Sequence, residues 1–546
     1  MTIISFIGFT LLVAVIAYIS TLKTDENTSD GYFLGGRSLT ATVIAGSLLL
    51  TNLSTEQIVG LNGQAFTEGI LVMAWETLAA IAMVVTAVFL LPRYLKGGLT
   101  TVPQFLEDRY DTFTKTLTSG LFLSGYVVVL LPIVLYSGAL AVNTMFDVPK
   151  QLGISETTAL WGTVWTIGIV GSIYAVFGGL KAVAVSDTIN AVGLLIGGLM
   201  IPIFGLAAIG DGEGILKGLS TLFESNPDKF NSIGGPTNTV PFATIFTGMM
   251  LVQLFYWGTN QAIIQRALAA KNLKEGQKGL MLAAFIKILG PLIVVLPGII
   301  AFHLFGDELT NPDQAYPTLV RRVLPASLVG FFAAVLFGAI LSSFNSALNS
   351  SVTLFGVDIY KQYIKKDATE KQVVRAGKSF GIVLALLSMC IAPLIANAPA
   401  GLFGYLQEVN GCYSIPIFTI ILVGYLTKRV PAIAAKIGIL SGVILYTISQ
   451  FLLKPNIIEA AKKGITDADQ LTVIEATAYP HFLHVMALLF VLNVAIMLII
   501  GKLYPRKDAY VLEYKKAVDI RPWSKVYYVG GAVVVTVIFM YIYFAS

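Results

Sequence analysis

Apolar stretches of about 20 residues recur along the whole of this chain, and no other feature constrains its fold so strongly. A helix that crosses a bilayer needs about 20 apolar residues, and within the hydrocarbon every backbone polar group must find its partner inside the protein. The sequence gives fourteen such spans, near residues 2–20, 39–62, 67–92, 117–143, 157–177, 182–209, 240–265, 279–305, 325–356, 377–397, 400–427, 431–453, 480–501 and 524–545. Only 12% of the 546 residues are charged, and the mean hydropathy is +0.79. Soluble proteins carry about twice that charge, and the spans leave no room for a large soluble domain. The expected fold class is an all-α polytopic membrane protein.

Several functions are excluded on the same grounds. The net charge of +5 comes from basic residues scattered over short loops, which make no surface for nucleic acid. Cys390 and Cys412 have no CxxC spacing, and His303, His481 and His484 form no ligand pattern with acids, so neither a disulfide nor a metal cluster is expected. Ile3–Ser20 lacks the basic start and the cleavage site of a signal peptide and reads as a retained first helix. Of the 36 Lys and Arg, only Lys150, Lys217, Lys229, Arg321, Arg322, Lys454, Lys462 and Lys463 fall in loops on one side of the membrane. Lys287 lies within a span and the rest share the other side, which the positive-inside rule makes cytoplasmic. An even number of spans then places both termini outside, in the cytoplasmic (inner) membrane of a cell.

Two spans are interrupted. In Gly46–Gly60, GSLLLTNLSTEQIVG, an apolar helix gives way to Thr51, Asn52, Ser54, Thr55, Glu56 and Gln57, which must face protein or a wet cavity. In Leu251–Gln265, LVQLFYWGTNQAIIQ, Gly258 and Asn260 interrupt a second span. Broken helices at corresponding positions of two halves point to a secondary transporter with inverted repeats. On that reading residues 1–38 are a peripheral helix and inner loop, 39–209 the first repeat and 210–239 an outer loop. Residues 240–427 are the second repeat, and 428–546 are peripheral helices.

Lys287 is a lone ammonium in the apolar run Gly279–Ala301, where a charge costs about 2.5–3.5 kcal/mol. It therefore needs a partner or a wet cavity; the bland alternative is a lysine that snorkels to the headgroups. Glu76 and Glu56 are both candidate partners. Gln57, Gln253 and Gln407 add amides from other spans, a donor and acceptor set suited to a solute rich in hydroxyls. Trp75, Tyr256 and Phe403 offer flat apolar faces beside it. The structural alternative for the glutamines is cross-linking of helices. On another span, Ala339, Ser342 and Ser343 share a helix face, where hydroxyls together with carbonyls freed at the first break could cage Na⁺. Small residues at a helix contact are the alternative there. Gly210–Gly218, GDGEGILKG, lacks the context of a phosphate loop and reads as an exposed loop; Asn27-Thr28-Ser29 is a chance-level glycosylation triplet.

With these residues in place, the chain resembles the sodium/solute symporter family, and within it the bacterial sodium/galactose and animal sodium/glucose cotransporters. The resemblance rests on GYFLGGRSL at Gly31–Leu39, TNLSTEQIVG at Thr51–Gly60, GGLTTVPQFLEDRYD at Gly97–Asp111, GGLKAVAVSDTIN at Gly178–Asn190, YWGTNQAIIQRALAAK at Tyr256–Lys271 and LSSFNSALNS at Leu341–Ser350. It implies a ten-helix core of two inverted five-helix repeats. It also implies a sodium site of the Leu50, Leu53 and Ala339 carbonyls with the Ser342 and Ser343 hydroxyls, and Asp187 on the sodium route. The sugar site it implies is Gln57, Glu76, Gln253, Lys287 and Gln407. Tyr256 would close that site from the cytoplasm, and Leu61, Trp75 and Phe403 would cap it from outside.

The chain departs from the galactose transporters at Ala79 for a serine, Trp75 for a tyrosine and Gln253 for an asparagine, and Asn345-Ser346 replaces the paired hydroxyls that hold a second sodium in some relatives. The expected function is sodium-driven import of a sugar or sugar-like polyol by alternating access, with no protein partner required. An amino acid, sialic acid, inositol or a small carboxylate is the alternative solute. A solute sensor lacks its signalling domain here, since the longest cytoplasmic segment is about Gly501–Ser524. An enzyme is not expected, for no nucleophile–base pair is present.

Overall fold

The computed structural model describes residues 2–22, 27–397 and 402–545. Among them nine helices are long and apolar enough to cross a membrane, or ten if Leu273–Leu289 and Pro291–Phe305, bent by 45°, form one span. The other expected spans fall on the first helix, Thr2–Thr21, and on helices that breaks shorten. Ala41–Asn52, for example, is about 18 Å long at 1.5 Å per residue and cannot cross alone. The core is a ten-helix arrangement of two inverted sets of five, each opening on a broken helix.

The first break separates Ala41–Asn52 from Thr55–Glu68, and the second separates Gly248–Gly258 from Gln261–Leu268. Each second half starts behind a residue that favours a helix N-cap, Ser54 and Asn260. The Asn260 amide oxygen accepts from its own helix at Ala262 N (3.0 Å) and from the Tyr126 hydroxyl (2.8 Å), which fixes the break in the core. Spans expected at 157–177 and 182–209 are joined in one element, Glu156–Ile209, that turns at Gly179 with φ +56° and ψ −172°. Only glycine occupies that backbone region without strain.

Ala41–Asn52 lies at the centre, against the 180–209 half of that element, Leu273–Leu289 and Ala326–Thr353. Glycine lets these backbones approach: a methyl group at Gly46 would meet Thr188, and one at Gly279 would meet Ile44. Val526–Tyr543 is peripheral, with 22% of its apolar window buried against 78% for Leu328–Ile364.

Residues 504–525 form an irregular strap across the basic face. Along it Arg506 N donates to Arg429 O (2.8 Å), Tyr510 N to Lys428 O (2.8 Å) and Lys515 N to Lys96 O (3.0 Å). Asp519 O accepts from Leu273 N (2.9 Å), and Trp523 N donates to Gln277 Oε1 (2.7 Å). The strap thus ties loops from both halves of the core.

Candidate functional site

Lys287 lies in the last turn of Leu273–Leu289, and its ammonium sits 2.7 Å from both carboxylate oxygens of Glu76. Both side chains are buried, Glu76 at 0% and Lys287 at 1% exposed. This geometry selects Glu76 over Glu56 as the partner. Glu56 is buried beside Ser54 instead, with Oε2 unbonded. Room for the Glu76 carboxylate comes from Gly290, where a methyl group would overlap Oε2. Gln57 Nε2 donates to Glu76 Oε1 (2.6 Å), and Asn52 Nδ2 donates to Gln57 Oε1 (3.2 Å). A polar chain therefore runs from Asn52 through Gln57 and Glu76 to Lys287, linking four helices, two of them the halves of the first broken span. Its two charges cancel.

The neighbouring side chains close over this chain. Gln253 Nε2 donates to the Trp75 carbonyl (2.9 Å), and its Oε1 accepts from Trp257 Nε1 (3.2 Å). The Trp75 ring meets Phe403 edge-on at 5.1 Å, and Phe403 fits over Gly60, where a methyl group would overlap it. Leu61 is fully buried in the same apolar cluster. Tyr256 is half-buried, its ring edge-on to Trp257 at 5.2 Å. Gln407 is half-buried on Leu402–Leu426 and, among the described residues, takes no part in the Lys287 network. On the far side of Trp75 lies a cavity of about 340 Å³.

Part of the second group of expected residues also comes together. Ala339, Ser342 and Ser343 are buried on Ala326–Thr353, and Leu50 and Leu53 are buried at the first break. Ser343 Oγ donates to the Thr51 carbonyl (2.9 Å), and Thr51 Oγ1 lies 2.9 Å from Ser346 Oγ. Ser342 lies beside Asp187 without closing a well-aligned hydrogen bond. An all-oxygen, neutral donor set with an unsatisfied buried hydroxyl fits a hard monovalent cation.

Asp187 accepts from Ser47 Oγ (2.6 Å). The residue that sequence reasoning missed is Arg266. Its fully buried guanidinium donates to Ser47 Oγ (3.2 Å), Ala262 O and Ser346 Oγ, and is coupled to Asp187. The signal was available: Arg266 is a cation beside an interrupted apolar span, as informative in kind as Lys287.

With this geometry in view, comparison with known proteins is direct. A model described as the sodium:solute symporter family matches residues 32–442. The chain is 49% identical over 524 residues to an uncharacterized symporter, YidK, of Escherichia coli K12, covering 96% of this chain and 87% of that one. It is 33% identical over 442 residues to the sodium/glucose cotransporter of Vibrio parahaemolyticus, covering 77% and 79% respectively. Among solved structures, a substrate-bound, outward-open Na⁺-coupled sialic acid symporter superposes with a TM-score of 0.73 at 20% identity, covering 93% of this chain and 98% of the other. At that identity the likeness concerns the fold.

Proposed function

The chain belongs to the sodium:solute symporter family, and from that premise we propose that the solute it carries with sodium is a neutral sugar or sugar-like polyol. It is a multi-pass membrane transporter, not an enzyme, and it uses sodium. The observation that carries the solute reading is the bonding of Lys287 to Glu76. The ammonium is neutralised within the protein, so a carboxylate solute finds no free cation. Asn52, Gln57 and Glu76 instead offer the donors and acceptors that hydroxyl groups need. The sodium/glucose relative supports the same class.

In this reading Gln57, Glu76, Gln253, Lys287 and Gln407 bind the solute, with Tyr256 closing the cytoplasmic side and Leu61, Trp75 and Phe403 the outside. Leu50, Leu53, Ala339, Ser342 and Ser343 hold sodium, and Asp187 lies on its exit route. The ion draws the first broken helix to the Ser342 helix, a junction that the Ser343–Thr51 bond already spans. Coupling requires that sodium bind the solute-ready conformation better than the alternative. The repeats occupy 39–209 and 240–427, and the protein resides in the inner membrane with both termini outside.

The test is uptake of radiolabelled galactose, glucose and myo-inositol into proteoliposomes, with and without an inward sodium gradient. Sodium-dependent accumulation of at least one, lost in Gln57→Ala, is the expected result. Uptake of sialic acid or an amino acid alone would overturn the solute class.

A further inference from the structure

We propose that the cavity beneath the 504–525 strap is a regulatory site, where polyol already imported binds and holds the inner face shut. This rests on the solute class and the orientation proposed above. The strap lines the cavity with Arg506, Tyr510, Leu512, Glu513 and Lys515, and the core lines it with Gly97 and with Asp108 on Val102–Arg109. Its volume of about 410 Å³ falls within the usual range of small-molecule sites, roughly 300–1,000 Å³.

The polar groups here are of both signs and largely uncommitted. Arg506 donates from Nη1 to the Arg109 carbonyl (2.8 Å), and among the described residues its Nε and Nη2 make no hydrogen bond. Lys515 Nζ lies 3.0 Å from Asp108 Oδ2, which leaves Asp108 Oδ1 open. The Glu513 carboxylate and the Tyr510 hydroxyl likewise have no hydrogen-bond partner among the described residues. Two cations and two carboxylates cancel, so a neutral ligand enters without a charge penalty, whereas a phosphate meets both carboxylates. Guanidinium donors and carboxylate acceptors around one cavity match a row of hydroxyls. The Tyr510 ring, edge-on to Phe105 at 6.3 Å, and Leu512 offer a surface to the C–H face of such a ligand. Because these side chains keep contact with solvent, each bond replaces one to water, and the expected affinity is weak, in the millimolar range.

A ligand in this cavity bridges two parts that opening must separate. Tyr510 N already donates to Lys428 O, and Lys515 N to Lys96 O. An occupant bonded to Arg506 and Glu513 on the strap and to Asp108 on the core adds to that tie. It favours the closed inner face by as much as it binds that face better than the open one. As polyol accumulates inside, import therefore slows. None of the residues around Lys287 and Glu76 lines this cavity, so the two sites can be disabled separately.

The test is amide hydrogen exchange at Tyr510 in lipid nanodiscs, with and without millimolar galactose, glucose or myo-inositol, whichever is taken up. Exchange should slow about threefold on addition. The same slowing is expected in Gln57→Ala, which disables the transport site, and none in Glu513→Ala. Ala509→Trp, which fills the cavity from an exposed position, should abolish the response as well. In proteoliposomes, loading the lumen with the solute should slow initial uptake more in the wild type than in Glu513→Ala.

Protection that vanishes in Gln57→Ala arises at the transport site and overturns the proposal, as does protection that survives both Glu513→Ala and Ala509→Trp. Protection by inorganic phosphate or glutamate, with none by the polyol, overturns the ligand class. Equal slowing of loaded wild type and Glu513→Ala overturns the regulation. No protection by a solute that is taken up removes the site and leaves the transport reading intact. Absence of sodium-driven uptake of all three removes the solute class and this proposal together.

Discussion

Because Lys287 bonds both oxygens of Glu76, removing either partner leaves an unpaired buried charge. Breaking one side of such a pair costs about 3–5 kcal/mol, whereas replacing both with apolar or amide groups is far less costly. Lys287→Met should therefore lower the melting temperature in detergent and abolish uptake. Glu76→Gln/Lys287→Met should regain most of the stability but none of the uptake; a double variant as unstable as the single would show that the pair does not act as a unit. At the proposed ion site, Ser343→Ala removes a hydroxyl that joins two helices. We expect the sodium concentration for half-maximal uptake to rise about tenfold, equivalent to about 1.4 kcal/mol. Unchanged sodium dependence would reject the proposed cage. Lys287 and Glu76 were legible as charges inside apolar runs. Arg266 carries the same mark, but close to the basic Lys271 it resembles the end of a span. Only the fold shows that this half-helix is driven into the core.

Among the elements, the breaks announced themselves through clusters of polar residues at Asn52–Glu56 and Thr259-Asn260. The joining of two spans at Gly179 did not, because its signal is a backbone angle rather than a side chain. A methyl group there would also come within 3.1 Å of the Tyr32 carbonyl. Gly179→Ala should therefore destabilise the protein by about 1–3 kcal/mol, read as a lower melting temperature, whereas Gly8→Ala on the first helix meets nothing and should not. Equal melting of the two variants would remove the strain argument. The partner of Lys287 was similarly open in the sequence, since Glu56 and Glu76 are both acids within reach of a lysine. Their separation depends on which turn of which helix faces Gly290, and that is a property of packing.

For the whole molecule, the strap at 504–525 ties the basic ends of helices from both repeats, so any opening on that face must stretch or release it. Arg506 donates from Nη1 to the Arg109 carbonyl (2.8 Å), and Lys515 pairs with Asp108 at 3.0 Å. Arg506→Ala/Lys515→Ala should raise amide hydrogen exchange severalfold at Tyr510 and at the two substituted positions, whose N–H groups donate to the Lys428, Arg429 and Lys96 carbonyls, while leaving the sodium affinity unchanged. No change in exchange there would mean that the strap rests on the surface without restraining it. The strap also bears on how the protein is made. Lys515 meets Lys96 across roughly 400 residues of chain, which a ribosome adds in roughly 20–80 s at about 5–20 residues per second. Until then the earlier helices sit in the bilayer with that face unfastened, and the nascent transporter seals it only once this late segment arrives.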